Sequence, residues 1–336
     1  MLKKVISSVV AAASLAFFTF GCDSTPPHRA SQYLNQNDKV AIEEVILKYK
    51  QVSNIGKDTF SSKDDILSDD VPIVTVLSEV YGLEKTTDYY FKLRKQGSDT
   101  FTSRDDVCSN HVSILLISAL KNGYETALDA YFRLKDSRKI SDKHAPMLVG
   151  TAITYGISET ENAYETMKKN VSYDHLAVLT RASLEYGIEQ TIDAYKNVKK
   201  KVYSEHVGII TKLALKHGLE KTLTMYKDIK NYGKDTFSSV DDIKSDHEAS
   251  MTSIALEFGL EKALGLYDRL RIEGKDTITS RDDIPSKHWP LLAADGCIRD
   301  LEDKAEVQKL IEDNAEDMMI TFIIIYFFMM HSIIND

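Results

Sequence analysis

Apolar and small residues recur along this chain in a helical pattern that glycine interrupts at regular intervals. Counted from a histidine, the third, fourth, seventh and eighth positions are mostly apolar or small, and a glycine follows at the twelfth. In the segment after the glycine, a Thr or Ala at the fourth position and a tyrosine at the eighth share one helix face. Each unit therefore predicts two helices joined at a glycine, which is an αα-hairpin.

The unit recurs along most of the chain, and this indicates a repeat array. The histidines that mark it are His111, His144, His175, His206, His247 and His288, spaced by 33, 31, 31, 41 and 41 residues. The frame continues upstream, where Asp70 takes the histidine position of one unit and Tyr49 the tyrosine position of another. A single hairpin cannot bury its own apolar stripe. The sequence thus predicts an all-α fold, an α-solenoid of stacked αα-hairpin repeats with mostly 31- and 41-residue periods, rather than one closed globule.

Two small positions in each unit predict how its helices pack. The eighth position after the histidine allows a second helix to approach closely; its residues are Ser78, Ala119, Ala152, Ser183, Ala214, Ala255 and Gly296. The glycine at the twelfth position is expected to end the first helix as a left-handed C-cap, where the absence of a Cβ is an advantage.

The longer period contains an inserted segment that the shorter one lacks. It reads GKDTFSSKDDI at 56–66 and recurs with small changes at 97–107, 233–243 and 274–284. Its acids offer oxygen ligands for calcium, but the order of acids, glycine and glutamate in an EF-hand loop is missing. We interpret the segment as a short capped turn whose final Ile or Val plugs the space between hairpins. Calcium binding and partner contact are the alternatives.

The spacing of small residue, Gly, Ala and Tyr, as in Ala255, Gly259, Ala263 and Tyr267, resembles the tetratricopeptide and pentatricopeptide class of α-solenoids. The resemblance covers about residues 41–316 as a pattern, without the tetratricopeptide Trp and Pro markers. The pentatricopeptide form would imply RNA binding. Because the formal net charge of the chain is −9, we expect no nucleic-acid partner.

The N-terminal segment is typical of an export signal. Lys3 and Lys4 precede an apolar run at 5–20, and Gly21 and Cys22 follow it. This end resembles the lipobox of bacterial lipoproteins, a resemblance that implies a lipid anchor on Cys22 and a membrane-anchored protein at the bacterial cell envelope, on its periplasmic or extracellular face. An ordinary secretory signal and an uncleaved membrane anchor are the alternatives.

These patterns divide the chain into four parts. Residues 1–22 form the signal, residues 23–39 a polar tether, residues 40–316 the helical-repeat domain, and residues 317–336 an apolar tail. Three origins of the tail stay open. It is a second membrane anchor, a buried final helix, or sequence read out of frame.

The recurring histidines and tyrosines are the most conspicuous candidates for chemistry. Stacked helices lie about 8–10 Å apart, so equivalent histidines would rarely share one metal ion. We therefore expect the histidines to form hydrogen bonds between repeats, with a metal or proton site as the alternative. The tyrosines are expected to lie in the core with their hydroxyls reaching its edge. The sequence contains no catalytic, cofactor-binding or metal motif, so we expect a protein that is not an enzyme.

A candidate binding surface follows from the expected curvature of a solenoid. If first helices line the concave face, the fifth and sixth positions after the histidine point into it. Arg181, Lys212 and Lys216 then form a cationic groove for a protein or peptide with acidic groups. An ordinary solvated surface is the alternative. The function expected is a non-catalytic, envelope-anchored scaffold that binds a partner. The runner-up is a structural, self-associating envelope protein, and an envelope enzyme or metal protein is the third class.

Overall fold

Fourteen α-helices and no strand occupy the residues that the computed structural model describes, which are 36–56, 65–96, 107–232, 243–273 and 284–299. The helices are α1 (Gln36–Ser53), α2 (Val71–Tyr81), α3 (Leu83–Lys95), α4 (Val112–Asn122), α5 (Tyr124–Asp136), α6 (Ala145–Tyr155), α7 (Ile157–Lys168), α8 (Leu176–Tyr186), α9 (Ile188–Val198), α10 (Val207–His217), α11 (Leu219–Asn231), α12 (Glu248–Phe258), α13 (Leu260–Glu273) and α14 (Trp289–Arg299). The predicted all-α solenoid of packed helix pairs is confirmed.

A single glycine joins the two helices of each hairpin. At Gly123 the N–H donates to the Ala119 carbonyl at the end of α4, and the glycine carbonyl accepts from the Ala127 N–H at the start of α5. The backbone has φ 92° and ψ 144° there, a conformation that is almost exclusive to glycine. The predicted left-handed C-cap is therefore wrong in ψ, which is extended because the second helix begins at once.

The two helices of a hairpin differ in how much of their surface is buried. The first helices (α2, α4, α6, α8, α10, α12 and α14) are called inner helices here, and the others outer helices. Residues 71–78 of α2 are all buried, as expected for a helix that is apolar on every side. In α9 only Thr191, Tyr195 and Val198 are buried, and their spacing marks one helix face.

The two ends of the array meet. Each inner helix contacts the next one, from α2 through to α14, and α14 in turn contacts both α2 and α1. Helix α13 also contacts α1. The stack therefore closes into a ring of seven inner and seven outer helices, in which α1 fills the outer position after α14. This closure was not predicted from the sequence.

The packing at this closure is tight. A Cβ added to Gly296 in α14 would lie 3.3 Å from Ile42 Cδ1 in α1 and 3.5 Å from Leu266 Cδ1 in α13. Gly296 occupies the small eighth position of the repeat. Small residues at this place thus have the predicted role, which is to let an outer helix approach an inner one.

Several predictions concern residues outside the described ranges. The signal at 1–22, most of the tether, the region after residue 299 and nearly all of the inserted segments belong to this group. Helix α1 begins at Gln36, inside the segment assigned to the tether. The apolar residues that end the inserted segments are described, and Ile66, Val107, Ile243 and Ile284 are buried as expected of a plug. Among the described helices, none is long and apolar enough to cross a membrane.

Candidate functional site

The ring has two chemically different ends. Inner helices begin and outer helices finish at one end, which we call the His end because a histidine precedes six of the seven inner helices. At the opposite end, called the glycine end, the hairpin glycines join inner to outer helices. Acidic residues occupy the first turns of the outer helices there; they are Asp38, Glu84, Glu125, Glu159, Glu189, Glu220 and Glu261. This position suits the helix dipole.

At the His end, the residue before each inner helix is hydrogen-bonded to a tyrosine of an outer helix. Within hairpins the bonded pairs are Asp70–Tyr90 (2.8 Å), His111–Tyr131 (2.9 Å), His144–Tyr164 (2.8 Å), His175–Tyr195 (3.4 Å), His206–Tyr226 (2.8 Å) and His247–Tyr267 (2.7 Å). The histidine atom is Nδ1 in every case. We call this series the His–Tyr ladder.

The seventh pair of the ladder joins the first described helix to the last. Tyr49 Oη of α1 lies 2.8 Å from Nδ1 of His288, which precedes α14. Partners within a hairpin are 20 residues apart, whereas these two are 239 residues apart. The ring closure, called the seam here, therefore reproduces the hairpin interaction in a unit assembled from two distant segments.

Ion pairs accompany the seam. Arg299 of α14 lies 2.6 Å from Glu79 of α2 and 3.7 Å from Glu44 of α1, and its Nε donates to Asp295 at 3.2 Å. Lys287, just before α14, pairs with Asp69, just before α2. Burial raises the pKa of Asp295 to about 6, against the opposing effect of Arg299. The seam thus encloses a charged cluster that contains one fully buried carboxyl group.

Five of the ladder histidines, His111, His175, His206, His247 and His288, are neutral at physiological pH. Burial, reinforced by a nearby lysine, lowers the pKa of His111 to about 4 and that of His288 to about 3. Desolvation also lowers the pKa of His175, His206 and His247. These groups therefore serve as fixed hydrogen-bonding partners and do not titrate near pH 7.

The expectation for the ladder histidines is met only in part. They were predicted to bond between repeats, but their Nδ1 atoms bond to tyrosine inside one unit. Bonds to the next repeat occur as well, and His175 Nε2–H donates to the Ser204 carbonyl at 2.8 Å. The tyrosine rings are buried as expected, and the hydroxyls of Tyr90, Tyr164 and Tyr195 also accept from backbone N–H groups of the junctions. The bond inside the unit was not predicted because sequence spacing specifies a helix face but not the partner across the hairpin.

The three predicted partner-binding residues do not share one environment. Arg181 in α8 and Lys212 in α10 expose only 7% and 4% of their surfaces. Lys216 Nζ lies 2.9 Å from Glu257 of α12. The predicted exposure of Arg181 and Lys212 is wrong, because inner helices of the ring have neighbours on several sides. Their role in partner binding stays a prediction.

A different group of cations lies at the His end, and all of them except the half-buried Lys143 are exposed. The three short junctions between hairpins, residues 137–143, 169–174 and 199–205, contain seven basic and three acidic residues in a chain with net charge −9. We call these three junctions the cationic arc. The basic residues are Arg138, Lys139, Lys143, Lys169, Lys199, Lys200 and Lys201. This group was not predicted from the sequence, although the first and third junctions, each with three basic residues and one acidic residue, are clearly basic.

In comparisons with known proteins, no family model, no curated protein and no solved structure matches the chain. Within the described ranges, no group of three His, Cys, Asp or Glu side chains is placed to hold a metal ion. The site features to be explained are therefore the ladder, the seam and the cationic arc.

Proposed function

We propose that this chain is a non-catalytic helical-repeat scaffold that binds a protein or peptide partner at the bacterial cell envelope, where a lipid on Cys22 anchors it. The observation that supports the proposal most directly is the His–Tyr ladder. It gives the conspicuous titratable side chains a structural role as neutral hydrogen-bonding partners. The exposed surfaces of the ring are then the parts available for binding a partner.

The finer family resemblance belongs to this proposal. The Gly, Ala and Tyr spacing is similar to that of tetratricopeptide-like arrays, and repeat arrays commonly present extended binding surfaces. The acidic chain argues against an RNA partner, since phosphates require a basic face of substantial extent. We therefore infer a polypeptide partner.

One observation favours the second candidate, a self-associating structural protein. The glycine end is acidic in the first turns of its outer helices, while the opposite end carries the cationic arc. If two copies stacked with the glycine end of one on the His end of the other, opposite charges would come into contact. Such a head-to-tail contact can be repeated by further copies and would build an open filament.

Two experiments test the proposal. Metabolic labelling with a fatty-acid probe should mark the wild type and not Cys22→Ser; if the wild type takes up no label, the anchor is wrong. A pull-down from envelope extracts should recover a heterologous partner in stoichiometric amount. Recovery of this chain alone would instead support the self-associating alternative.

A further inference from the structure

The cationic arc is one continuous surface. Tyr173 of the second junction bonds to Ser141 of the first, with 2.5 Å between the two hydroxyl oxygens. His175, at the end of the second junction, bonds to the Ser204 carbonyl of the third at 2.8 Å. These contacts hold the three junctions side by side at the His end.

Most of the positive charge on the arc is available to a partner. Arg138, Lys169, Lys200 and Lys201 are exposed, and none of them pairs with a carboxylate among the described residues. Lys139 differs, since its Nζ lies 2.6 Å from Glu161. Unpaired cations on an acidic protein attract anionic groups and steer their approach.

Two tyrosines add apolar area to the arc. Tyr173 and Tyr203 expose 48% and 43% of their surfaces. The ring of Tyr173 packs on His144 with 4.4 Å between centroids, and Lys230 Nζ lies 3.8 Å from the centroid of Tyr203. Both rings are thus supported by neighbours and still reachable, as are the aromatic residues enriched in protein interfaces.

The four longer junctions do not share the basic composition of the arc in sequence. Each contains a pair of aspartates; the pairs are at 64–65, 105–106, 241–242 and 282–283. Acidic residues outnumber basic ones in the junctions at 54–70, 96–111 and 232–247, and the two are equal in number at 274–288. The basic surplus among the junctions is therefore confined to the arc, which a narrow ligand can follow alone.

We propose that the cationic arc binds an acidic peptide segment in an extended conformation. This inference rests on the proposed scaffold function and names the site and the chemical class of its partner. Neighbouring helices lie about 8–10 Å apart, so three junctions span about 20–25 Å, the length of about seven extended residues. Glutamate or aspartate side chains of the peptide would pair with the exposed cations of the arc, which are Arg138, Lys169, Lys200 and Lys201. Apolar groups of the peptide would contact Tyr173 and Tyr203.

Fluorescence anisotropy of the full-length protein with a fluorescein-labelled octaglutamate peptide tests the inference, with octaserine as the uncharged control. The triple variant Lys169→Ala/Lys200→Ala/Lys201→Ala should weaken binding of octaglutamate by about tenfold or more, and raising the salt from about 0.02 to 0.15 M should weaken wild-type binding strongly. The matched control Lys50→Ala/Lys85→Ala/Lys221→Ala removes the same charge elsewhere and should bind within about twofold of the wild type.

Equal losses in the two triple variants would overturn the inference, because net charge alone would then explain binding. Binding to vesicles of anionic phospholipid that the arc variant abolishes would overturn it in favour of a membrane. Salt-sensitive self-association in sedimentation, lost in the arc variant, would assign the arc to a second copy. A heterologous partner that still binds the arc variant would refute the inference while leaving the scaffold function intact.

Discussion

The continuous hairpins and the seam make the same contact by different routes. In a continuous hairpin such as α4–α5, His111 meets Tyr131 across 20 residues, whereas at the seam His288 meets Tyr49 across 239 residues. Loop-closure entropy makes the longer connection about 2 kcal/mol more costly to close. The seam also has ion pairs of Arg299 with Glu79 and Glu44. Repetition of one local unit therefore accounts for six hairpins, and the seventh depends on the geometry of the whole ring.

The largest expected effect is acid destabilisation of both regions, because it sums over the five ladder histidines whose pKa is lowered. The pKa of His111 is lowered from 6.5 to about 4 and that of His288 to about 3, so their contributions are fully present above pH 6.5 and are lost as pH falls toward those values. Each buried histidine with such a shift should cost about 2 kcal/mol at pH 5. Urea unfolding at pH 7.5 and pH 5 measures this loss. His111→Asn and His288→Asn should each reduce the pH dependence of the free energy of unfolding to the same extent. If only one variant reduces it, the His–Tyr pair at the seam and the pair in the continuous hairpin do not contribute equally to stability.

Truncation of the ladder tyrosines compares the two regions without a change of pH. Tyr131 and Tyr49 expose 0% and 7% of their surfaces. Replacing either with Ala removes a buried ring and leaves a histidine Nδ1 without its partner, so each should cost about 3–5 kcal/mol in the free energy of unfolding. Chemical denaturation gives both values. A cost below about 0.5 kcal/mol for Tyr49→Ala would mean that α1 is not packed as an outer helix.

Overpacking the small eighth position should have a smaller effect. Ala214 lies within a continuous hairpin, and Gly296 lies at the seam, where an added Cβ would be 3.3 Å from Ile42 Cδ1. Ala214→Leu and Gly296→Leu should each destabilise the ring by about 1–3 kcal/mol, measured as a shift of the thermal midpoint. If the leucine at 296 leaves stability unchanged, the seam has room that a tightly packed hairpin lacks.

The smallest effect is expected at the buried seam carboxyl group. Because the pKa of Asp295 is raised to about 6, its contribution favours folding at low pH and is lost as pH rises through about 6. Asp295→Asn removes this buried charge, while Arg299 keeps Glu79 at 2.6 Å. The variant should be more stable than the wild type by about 1 kcal/mol at pH 7.5 and equal to it near pH 4. A loss of stability at pH 7.5 would show that the Asp295–Arg299 pair holds the seam.

Local features were the most predictable from sequence. The glycine at 123 and the tyrosine at 131 predicted a helix break and a buried face, and both are found. These features succeed because the positive φ of a glycine and the periodicity of a helix are properties of a few neighbouring residues.

Ring closure was harder to predict than these local features, although the sequence contained an indication of it. His288 lacks a tyrosine 20 residues later, where Gln308 stands, and Tyr49 lacks a histidine 20 residues earlier, where Arg29 stands. Each was half of a repeat unit. Joining them requires the rotation from one hairpin to the next, a property of packing that no single repeat encodes. Arg181 and Lys212 were predicted to be exposed for the same reason, because the rotation between hairpins, and so the curvature of the array, could not be derived from the sequence.

The distance between α1 and the start of α14 tests the closed ring most directly. Spin labels on cysteines at Leu47, which is 70% exposed, and Pro285, which is exposed, would report it in a background of Cys22→Ser and Cys108→Ser. In a closed ring these sites belong to adjacent helices, so double electron–electron resonance should give a narrow distribution of distances between the two labels, centred below about 25 Å. An open stack would separate them by six helix-pair steps, and a distribution centred beyond about 40 Å would contradict the ring.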